Sequence, residues 1–245
     1  EAMAGSGVPL ALLPSGTGNL LARNLKLTLN DPADSLRIAF TGEPHGIDVA
    51  RIEIRRPDDS IDTHVFVVMA GAGLDAQIMA NTDDELKKKA GWLAYAQALV
   101  VVLRDRSTLR LSYRLDGHRT RSERARALIV GNCGSLPANI VLLPDASVDD
   151  GLLDLIVLKP ESLRGWLAVL PKIFWENGVI KRLPFGHRMK ELDAKSVDLR
   201  QGTSLVVWLN RPETLQLDGD PFGEMVGCRV AVEPDALLVM AQPSA

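Results

Sequence analysis

The chain is poor in cysteine and in aromatic residues, and it has no large excess of either charge. Two thiols, Cys133 and Cys228, are too few and too far apart for a disulfide framework or a metal cluster, so a reducing cytoplasm is the expected compartment. The 28 Lys and Arg residues stand against 31 Asp and Glu residues, a net charge of −3. General nucleic-acid binding is therefore not expected, because neutralising phosphates requires a basic excess.

Long apolar runs are also absent. The longest, residues 93–103, has about half of the roughly 20 residues that a membrane-spanning helix needs. Any membrane contact is therefore expected to be peripheral, at the inner face. The 46% of hydrophobic residues in a chain of 245 is enough for a substantial core. The chain opens at Glu1 rather than Met, and residues 1–4 have the composition of a helix end, so we expect the protein to be longer.

The first 44 residues have the pattern of an α/β unit. Residues 8–13 form a short apolar run that predicts a strand buried on both faces. A glycine loop and a helical segment, residues 19–25, follow it. Asp31 and Pro32 predict an N-cap and first turn of a second helix that extends to about Phe40. We interpret residues 1–44 as the remnant of an α/β nucleotide-binding domain.

From residue 45 onward the pattern changes to strands. Residues 109–115 alternate between apolar and polar side chains, as a half-buried strand does. Two inserted helices are predicted within residues 82–103 and 163–178. Residues 45–245 are therefore predicted to form a mainly β domain, a sandwich or partly closed barrel, in a chain that is α+β overall. Whether the last residues return to the α/β unit stays open. The other predicted strands are residues 64–70, 124–130, 152–158, 196–200, 205–209, 214–217, 226–232 and 237–240.

The first candidate site is the loop formed by Gly16, Thr17, Gly18 and Asn19. Glycines let a backbone approach an anion closely, Thr17 adds a hydroxyl donor, and Asn19 is placed to cap the following helix. The loop lacks the Gly-Lys-Ser/Thr of a P-loop. A tight strand-to-helix turn, which also needs glycine, is an equally good interpretation from spacing alone.

Two Asp-Gly segments are the other candidates. Residues 145–154 contain Asp150 and Gly151 before an apolar strand, which suits a Mg²⁺ or Ca²⁺ site or an ordinary hairpin turn. Asp218 and Asp220 flank a glycine after another strand. They suit a carboxylate pair that takes a proton from a hydroxyl, or again a turn.

Two further groups of residues carry no assigned chemistry. The four histidines show no metal-ligand spacing to one another or to the cysteines. Four arginines alternate along a predicted strand, which is typical of a solvated face but also suits contact with acidic lipid headgroups. These arginines are Arg119, Arg121, Arg124 and Arg126.

Taken together, four segments resemble the diacylglycerol kinase catalytic-domain family, in particular its bacterial soluble lipid kinases. They are residues 13–23, 71–76, 149–154 and 217–221, and their order matches that of the family. The resemblance implies an N-terminal α/β domain like that of NAD kinases, a C-terminal β-sandwich and an ATP site in the cleft between them.

The resemblance also implies roles for individual residues. Thr17, within the loop that runs from Gly16 to Asn19, would contact ATP. Asp150, with the backbone carbonyls of Leu153 and Leu155, would match the structural Mg²⁺ site of the family. The last motif would carry the proton acceptor. Asp220 stands where the family usually has Glu, one methylene longer, so Asp218 is a second candidate for the base.

The expected activity is transfer of the γ-phosphoryl group of ATP to a lipid hydroxyl, such as that of diacylglycerol, at the membrane surface. Residues 1–245 alone are expected to be inactive, because they lack the Gly-Gly-Asp-Gly-Thr loop of the family. Two alternatives stay open: a non-catalytic lipid-binding or scaffold module, and a kinase of a soluble polyol or nucleotide. No nucleic-acid partner is expected, and a homodimer stays open because sandwich edges often pair.

Overall fold

The computed structural model describes residues 1–16, 18–73, 108–136, 140–159 and 197–242. Thr17, His187 and the two helices predicted within residues 82–103 and 163–178 lie outside the described residues. Residues 74–76 of the second resembling segment lie outside them too.

Two helices and twelve strands make up the described part of the chain. The helices are α1 (Leu20–Asn24) and α2 (Pro32–Thr41), and neither has the length and hydropathy to cross a bilayer. The strands are β1 (Glu43–Arg55), β2 (Ile61–Phe66), β3 (Met69–Gly73), β4 (Leu109–Leu115), β5 (Arg121–Ala125), β6 (Ala127–Gly131), β7 (Ser135–Leu136), β8 (Ile140–Val141), β9 (Leu153–Leu158), β10 (Val197–Gly202), β11 (Ser204–Leu217) and β12 (Asp220–Ala241).

The strands form an antiparallel β-sandwich, which confirms the predicted fold class. The strand order is β10-β9-β6-β3-β11-β12-β1-β2, with β4 paired to β11 and β5 paired to β4. The long strand β11 contributes to both layers. Its residues 205–209 pair with β4, whereas residues 215–217 pair with β3.

The main core lies between the two layers and follows from side-chain alternation. In β4, Leu109, Leu111 and Tyr113 are buried while Arg110 and Arg114 are exposed. A second apolar cluster covers the opposite face of β6 and β9, and the N-terminal segment and α1 pack against it. A third, small cluster joins α1 to α2.

The predicted start of α2 is confirmed in detail. Asp31 is the N-cap residue, and its Oδ1 accepts hydrogen bonds from the amides of Ala33 (3.0 Å) and Asp34 (3.1 Å). Pro32 occupies the first helical position, where the missing N–H costs nothing. The helix ends at Thr41, one residue beyond the predicted end.

The prediction of a buried strand over residues 8–13 is wrong. Only Leu10 pairs, as an isolated parallel bridge to Val239. Val8 and Leu13 are 54% and 53% exposed. A strand buried on both faces needs neighbours on both sides, and in the described part of the chain β12 is the single neighbour of this segment.

Several predicted strand boundaries also differ from the structure. The run 64–70 is divided after Phe66, and the run 124–130 is divided at Arg126. Conversely, 205–209 and 214–217 belong to the single strand β11, and 226–232 and 237–240 belong to β12. Register shifts within the β11–β12 and β1–β12 ladders absorb the extra residues, as bulges do.

Candidate active site

The loop between residue 16 and α1 is closed by the side chain of Asn19. The Gly16 amide donates to Asn19 Oδ1 (3.1 Å), and Asn19 Nδ2 donates to the Gly16 carbonyl (2.7 Å). Asn19 itself has a left-handed backbone (φ 47°) and makes no side-chain hydrogen bond to the helix. Asn19 therefore occupies the predicted N-cap position of α1, but its side chain does not make the capping hydrogen bond. Its amide group holds the loop instead.

The two glycines of this loop differ in the space around them. Gly16 has no positive φ, but a Cβ there would lie 3.2 Å from Asn19 Oδ1, closer than an ordinary contact. Among the described residues, a Cβ at Gly18 would meet only Leu20 Cγ, at 3.9 Å. Packing against the described residues therefore does not require glycine at position 18. Close approach of a ligand is a physical reason for glycine there.

Side chains of α1 connect the loop to the sandwich. Arg23 Nε donates to the Gly18 carbonyl at 2.8 Å, which fixes the loop on the helix. Asn24 Oδ1 accepts from the amides of Gly134 and Ser135, each at 3.1 Å, just beyond the end of β6. The loop is therefore held near the end of the sheet that leads into residues 132–135.

The segment 132–135 also contacts the break between β2 and β3. The amides of Asn132 (2.9 Å) and Cys133 (3.2 Å) donate to the Val68 carbonyl. Asn132 is fully buried, and its Nδ2 donates to the Asp48 carbonyl at 3.0 Å. This segment joins the glycine loop on one side to the β2–β3 break on the other.

Asp218 lies on the far side of that break. Its Oδ2 accepts from the Val67 amide (2.9 Å), and its Oδ1 accepts from the amides of Val68 (2.8 Å) and Met69 (3.0 Å). The residue as a whole is exposed, but its carboxylate lies against the backbone. Burial raises the pKa of Asp218, the three amide donors lower it, and the charge of Asp220 adds to the rise.

Asp218 and Gly219 also form the turn between β11 and β12. Leu217 pairs with Asp220, and both turn residues have positive φ (50° and 95°). This is the backbone geometry of a two-residue hairpin with an Asp-Gly turn. The hairpin interpretation of this motif is therefore correct, and the Asp218 carboxylate is occupied by backbone donors.

Asp220 differs from Asp218 in its surroundings. It is the first residue of β12 and is exposed. Within the described residues, no hydrogen bond or ion pair engages its carboxylate. Of the two acids, Asp218 is therefore the one whose carboxylate is held by backbone donors in this part of the structure.

A group of acidic residues surrounds the Asp150-Gly151 turn. Asp150 Oδ1 accepts from the Leu152 amide (2.9 Å). Burial raises the pKa of Asp150, as do the charges of Asp48 and Asp149. Asp154 is 5% exposed; burial, with the charges of Asp150 and Asp145, raises its pKa to about 6 against the contact with Gln201. A cation beside Asp150 would offset this repulsion.

The backbone positions of the predicted Mg²⁺ ligands are unequal. Leu155 faces Val130 on one side and Arg200 on the other, so its backbone lies within two ladders. Leu153 is the first residue of β9 and has a ladder partner only in β10. In the described ranges, no three His, Cys, Asp or Glu side chains come together as a metal site. Asp150 therefore fits Mg²⁺ as one carboxylate ligand that needs backbone oxygens or water beside it.

Sequence reasoning missed Asp48, which accepts hydrogen bonds from the Asp150-Gly151 turn and from the segment at Asp235. Asp48 is 1% exposed. Its Oδ2 accepts from the Gly151 amide (2.7 Å), and its Oδ1 accepts from the Asp235 amide (3.0 Å). The signal was a single acid in the apolar run Ile47-Asp48-Val49-Ala50, where a charge must find partners.

Two known domain families match this chain. Residues 1–52 match the diacylglycerol kinase catalytic domain. Residues 68–241 match the YegS C-terminal NAD kinase beta sandwich-like domain.

Relatives with curated names agree with these matches. The chain is 28% identical over 174 residues to "Diacylglycerol kinase" of Mycobacterium tuberculosis, covering 71% of this chain and 55% of the relative. It is 31% identical over 231 residues to "Probable lipid kinase YegS-like" of Pseudomonas aeruginosa, covering 94% of this chain and 67% of the relative. The chain thus spans between about half and two thirds of the length of these relatives.

A solved structure shows the same fold. The crystal structure of a diacylglycerol kinase from Bacillus anthracis superposes with a TM-score of 0.61 at 17% identity. The superposition covers 96% of this chain and 67% of that structure.

Proposed function

The chain belongs to the family of diacylglycerol kinases and YegS-like lipid kinases, and on that premise we propose that its protein transfers the γ-phosphoryl group of ATP to a lipid hydroxyl. Diacylglycerol, or a lipid with a similar free hydroxyl, is the proposed acceptor, at the inner face of the membrane. The observation that carries the proposal is the glycine loop, in which the described residues leave space for a side chain at Gly18 and glycine stands there nevertheless.

The loop suits a nucleotide phosphate for a second reason. Within the described residues, no hydrogen bond engages the amides of Gly18 and Asn19, whereas the Gly16 amide is used by Asn19. Free amides beside small residues are the usual donors to a phosphate. In the proposal, Thr17 adds its hydroxyl to this group of donors.

Asp220 is the proposed proton acceptor. The lipid hydroxyl oxygen forms a bond to the γ-phosphorus, the bond from that phosphorus to the β-phosphate oxygen breaks, and ADP leaves. The hydroxyl proton goes to the Asp220 carboxylate. Asp218 is proposed to position this turn, because its oxygens already accept from three backbone amides. Most of the rate enhancement in such transfers comes from positioning and charge stabilisation.

Asp150 is the proposed carboxylate ligand of Mg²⁺, with backbone carbonyls such as those of Leu153 and Leu155. When bound, the ion supplies positive charge to a region crowded with carboxylates. The chain itself contributes the geometry of the Asp150-Gly151 turn. The Leu152 amide orients Asp150, and Asp48 anchors Gly151.

The test is Asp220→Asn in the full-length gene product, assayed with labelled ATP and diacylglycerol. Removing the base should lower the rate by a factor of about 10² to 10⁴. Asp59→Asn, an exposed acid in the turn after β1, is the matched control and should keep full activity. Undiminished phosphorylation by Asp220→Asn would remove Asp220 from the role of base.

The same assay separates the alternatives. Labelling of only polyols or nucleosides in a panel of acceptors would replace the lipid by a soluble substrate. Lipid binding without any labelling would favour a scaffold module. We expect residues 1–245 alone to phosphorylate no lipid, because the Gly-Gly-Asp-Gly-Thr loop is not among them.

A further inference from the structure

We propose that the outer face of β4, β5, β11 and β12 binds the surface of an anionic phospholipid membrane. The proposal rests on the proposed function, since a lipid acceptor is presented in a membrane. We call this surface the arginine face. It consists of Arg110, Ser112, Arg114, Ser122, Arg124, Val206, Trp208 and Arg229.

Strand register brings these side chains to one surface. Leu109, Leu111 and Tyr113 point into the core, so the residues between them point outward. Arg110 lies opposite Arg124, and Trp208 lies opposite Ser112. The Ser112 and Ser122 hydroxyls are 2.8 Å apart, which confirms that the two strands share this face. Arg229 lies opposite Val206 in the next ladder.

Three of the four arginines on this face, Arg110, Arg114 and Arg124, have no acid opposite them in register within the described residues. Arg110 and Arg124 are a directly opposed pair of like charges, an arrangement that destabilises a sheet. In the described ranges, none of the four arginines of the face takes part in an ion pair. Glu53 lies opposite Arg229 in the β1–β12 ladder and is the acid in register with that arginine.

Some arginines elsewhere on the surface do pair with acids. Arg37 and Arg56 each bond to a carboxylate, at 2.5 and 2.7 Å. The chain as a whole carries a net charge of −3. A group of arginines that have no ion pair in the described part of an acidic protein points to an anionic partner for this face.

The shape of the face favours a membrane over a nucleic acid. Arg110 and Arg114 are four residues apart on one strand, about 13 Å, so the charges are spread over a sheet surface rather than along a groove. Trp208 is 41% exposed on a central strand, with the Arg114 guanidinium 5.7 Å from its ring centroid. An exposed Trp beside arginines suits the headgroup layer of a bilayer, where aromatic rings with a polar edge collect.

Vesicle binding tests the proposal. The double variant Arg110→Gln/Arg124→Gln removes the opposed pair, and Lys26→Gln/Arg37→Gln removes the same charge from another surface. Binding to vesicles of phosphatidylcholine with a third of phosphatidylglycerol is measured by co-sedimentation at low and high salt. Each arginine near an anionic surface is worth about fivefold in affinity, so the double variant should bind about 25-fold more weakly. The control variant should bind the anionic vesicles as tightly as the wild type does. Vesicles of pure phosphatidylcholine should bind neither the wild type nor the control variant.

Several outcomes would overturn the proposal. Equal vesicle binding by the double variant and the control would do so, as would absence of wild-type binding at low salt. Tighter binding of the wild type to single-stranded or duplex nucleic acid than to vesicles would assign the face to that partner. Because removing like charges relieves repulsion, thermal unfolding should show the double variant at least as stable as the wild type, which excludes misfolding as the cause.

Diacylglycerol in neutral detergent micelles separates this proposal from the proposed function. Micelles present the acceptor without an anionic surface, so the full-length double variant should retain wild-type phosphorylation there. Activity in micelles without vesicle binding by the wild type would refute the arginine face alone. Vesicle binding without any phosphorylation would refute the kinase chemistry alone.

Discussion

The Oδ1 atom of Asp218 lies 2.8 Å from the amide nitrogen of Val68, a contact that spans 150 residues of sequence. It joins the hairpin turn after β11 to the break between β2 and β3. The same carboxylate also receives the amides of Val67 and Met69. Asp218, a residue of a family motif, therefore holds the backbone of the β2–β3 break, two residues before the exposed Asp220.

We predict that Asp218→Asn lowers the free energy of unfolding. Asn tolerates the left-handed backbone, but its amide offers one acceptor oxygen to three N–H donors, so at least one donor loses its partner. Burial, with the charge of Asp220, leaves the pKa of Asp218 raised despite the three donors, so the charge itself adds no stability. The expected loss of about 1 kcal/mol, measured by urea unfolding at pH 7, comes from the backbone amide left without an acceptor. Asp220→Asn is the matched control and should unfold at the same urea concentration as the wild type. Identical curves for the two variants would remove the supporting role of Asp218.

A second aspartate predicts a pH dependence. Asp116, in the turn after β4, accepts from the amides of Thr203 and Ser204, each at 2.8 Å. Burial raises the pKa of Asp116, but the hydrogen bonds from Ser204 and Thr203 outweigh it and leave the pKa below the ordinary value of 3.8. Its stabilisation is therefore fully present above pH 3.8 and is lost as the pH falls through the lowered folded value.

Asp116→Asn should accordingly be less stable than the wild type at pH 7, by about 1 to 2 kcal/mol for the lost charge-assisted bonds. The difference should shrink as the pH falls below 3.8. Urea midpoints at pH 7, 5 and 3 measure it, and Asp220→Asn again serves as the control. A difference that stays constant down to pH 3 would contradict the assignment.

Local sequence patterns correctly predicted those elements whose structure is determined within a single segment of the chain. The alternation of residues 109–115 predicted the buried and exposed faces of β4, because period two is a property of one strand. Asp31 and Pro32 predicted the start of α2, because a cap is made within three residues. The failed strand at residues 8–13 has a good local pattern, but strand formation depends on partners that a short run does not encode.

Local patterns could not predict the long-range hydrogen bonds that hold the candidate site in place. The bonds of Asp48 to Asp235 and of Asp218 to Val67 join residues 187 and 151 positions apart. The motifs located the glycine loop and the two Asp-Gly turns. They did not show that Asn19 closes the loop, because hairpin, cap and ligand site all favour the same small polar residues.

Mg²⁺ should stabilise the protein through Asp150. A ligand that binds only the folded state adds about 2.7 kcal/mol at a hundredfold excess over its Kd, so millimolar Mg²⁺ should raise Tm. Asp150→Asn should lose this rise, because it removes the carboxylate ligand. Asp116→Asn is the control: its Tm should start lower but increase with Mg²⁺ as much as that of the wild type. An equal increase in Asp150→Asn would place the cation elsewhere.

Gly18→Ala and Gly227→Ala should separate a ligand requirement from a packing requirement. A Cβ at Gly227 would lie 2.6 Å from the Val207 carbonyl oxygen, so that variant should lose about 1 to 3 kcal/mol of unfolding free energy. Among the described residues, a Cβ at Gly18 meets only Leu20 Cγ at 3.9 Å, so Gly18→Ala should unfold like the wild type within about 0.5 kcal/mol. If the loop holds a phosphate against its backbone, the Gly18 variant should nevertheless bind ATP at least about tenfold more weakly in the full-length protein, measured by calorimetry. Unchanged ATP affinity together with unchanged stability would leave Gly18 with no role in nucleotide binding, whereas lost stability would favour the tight-turn interpretation.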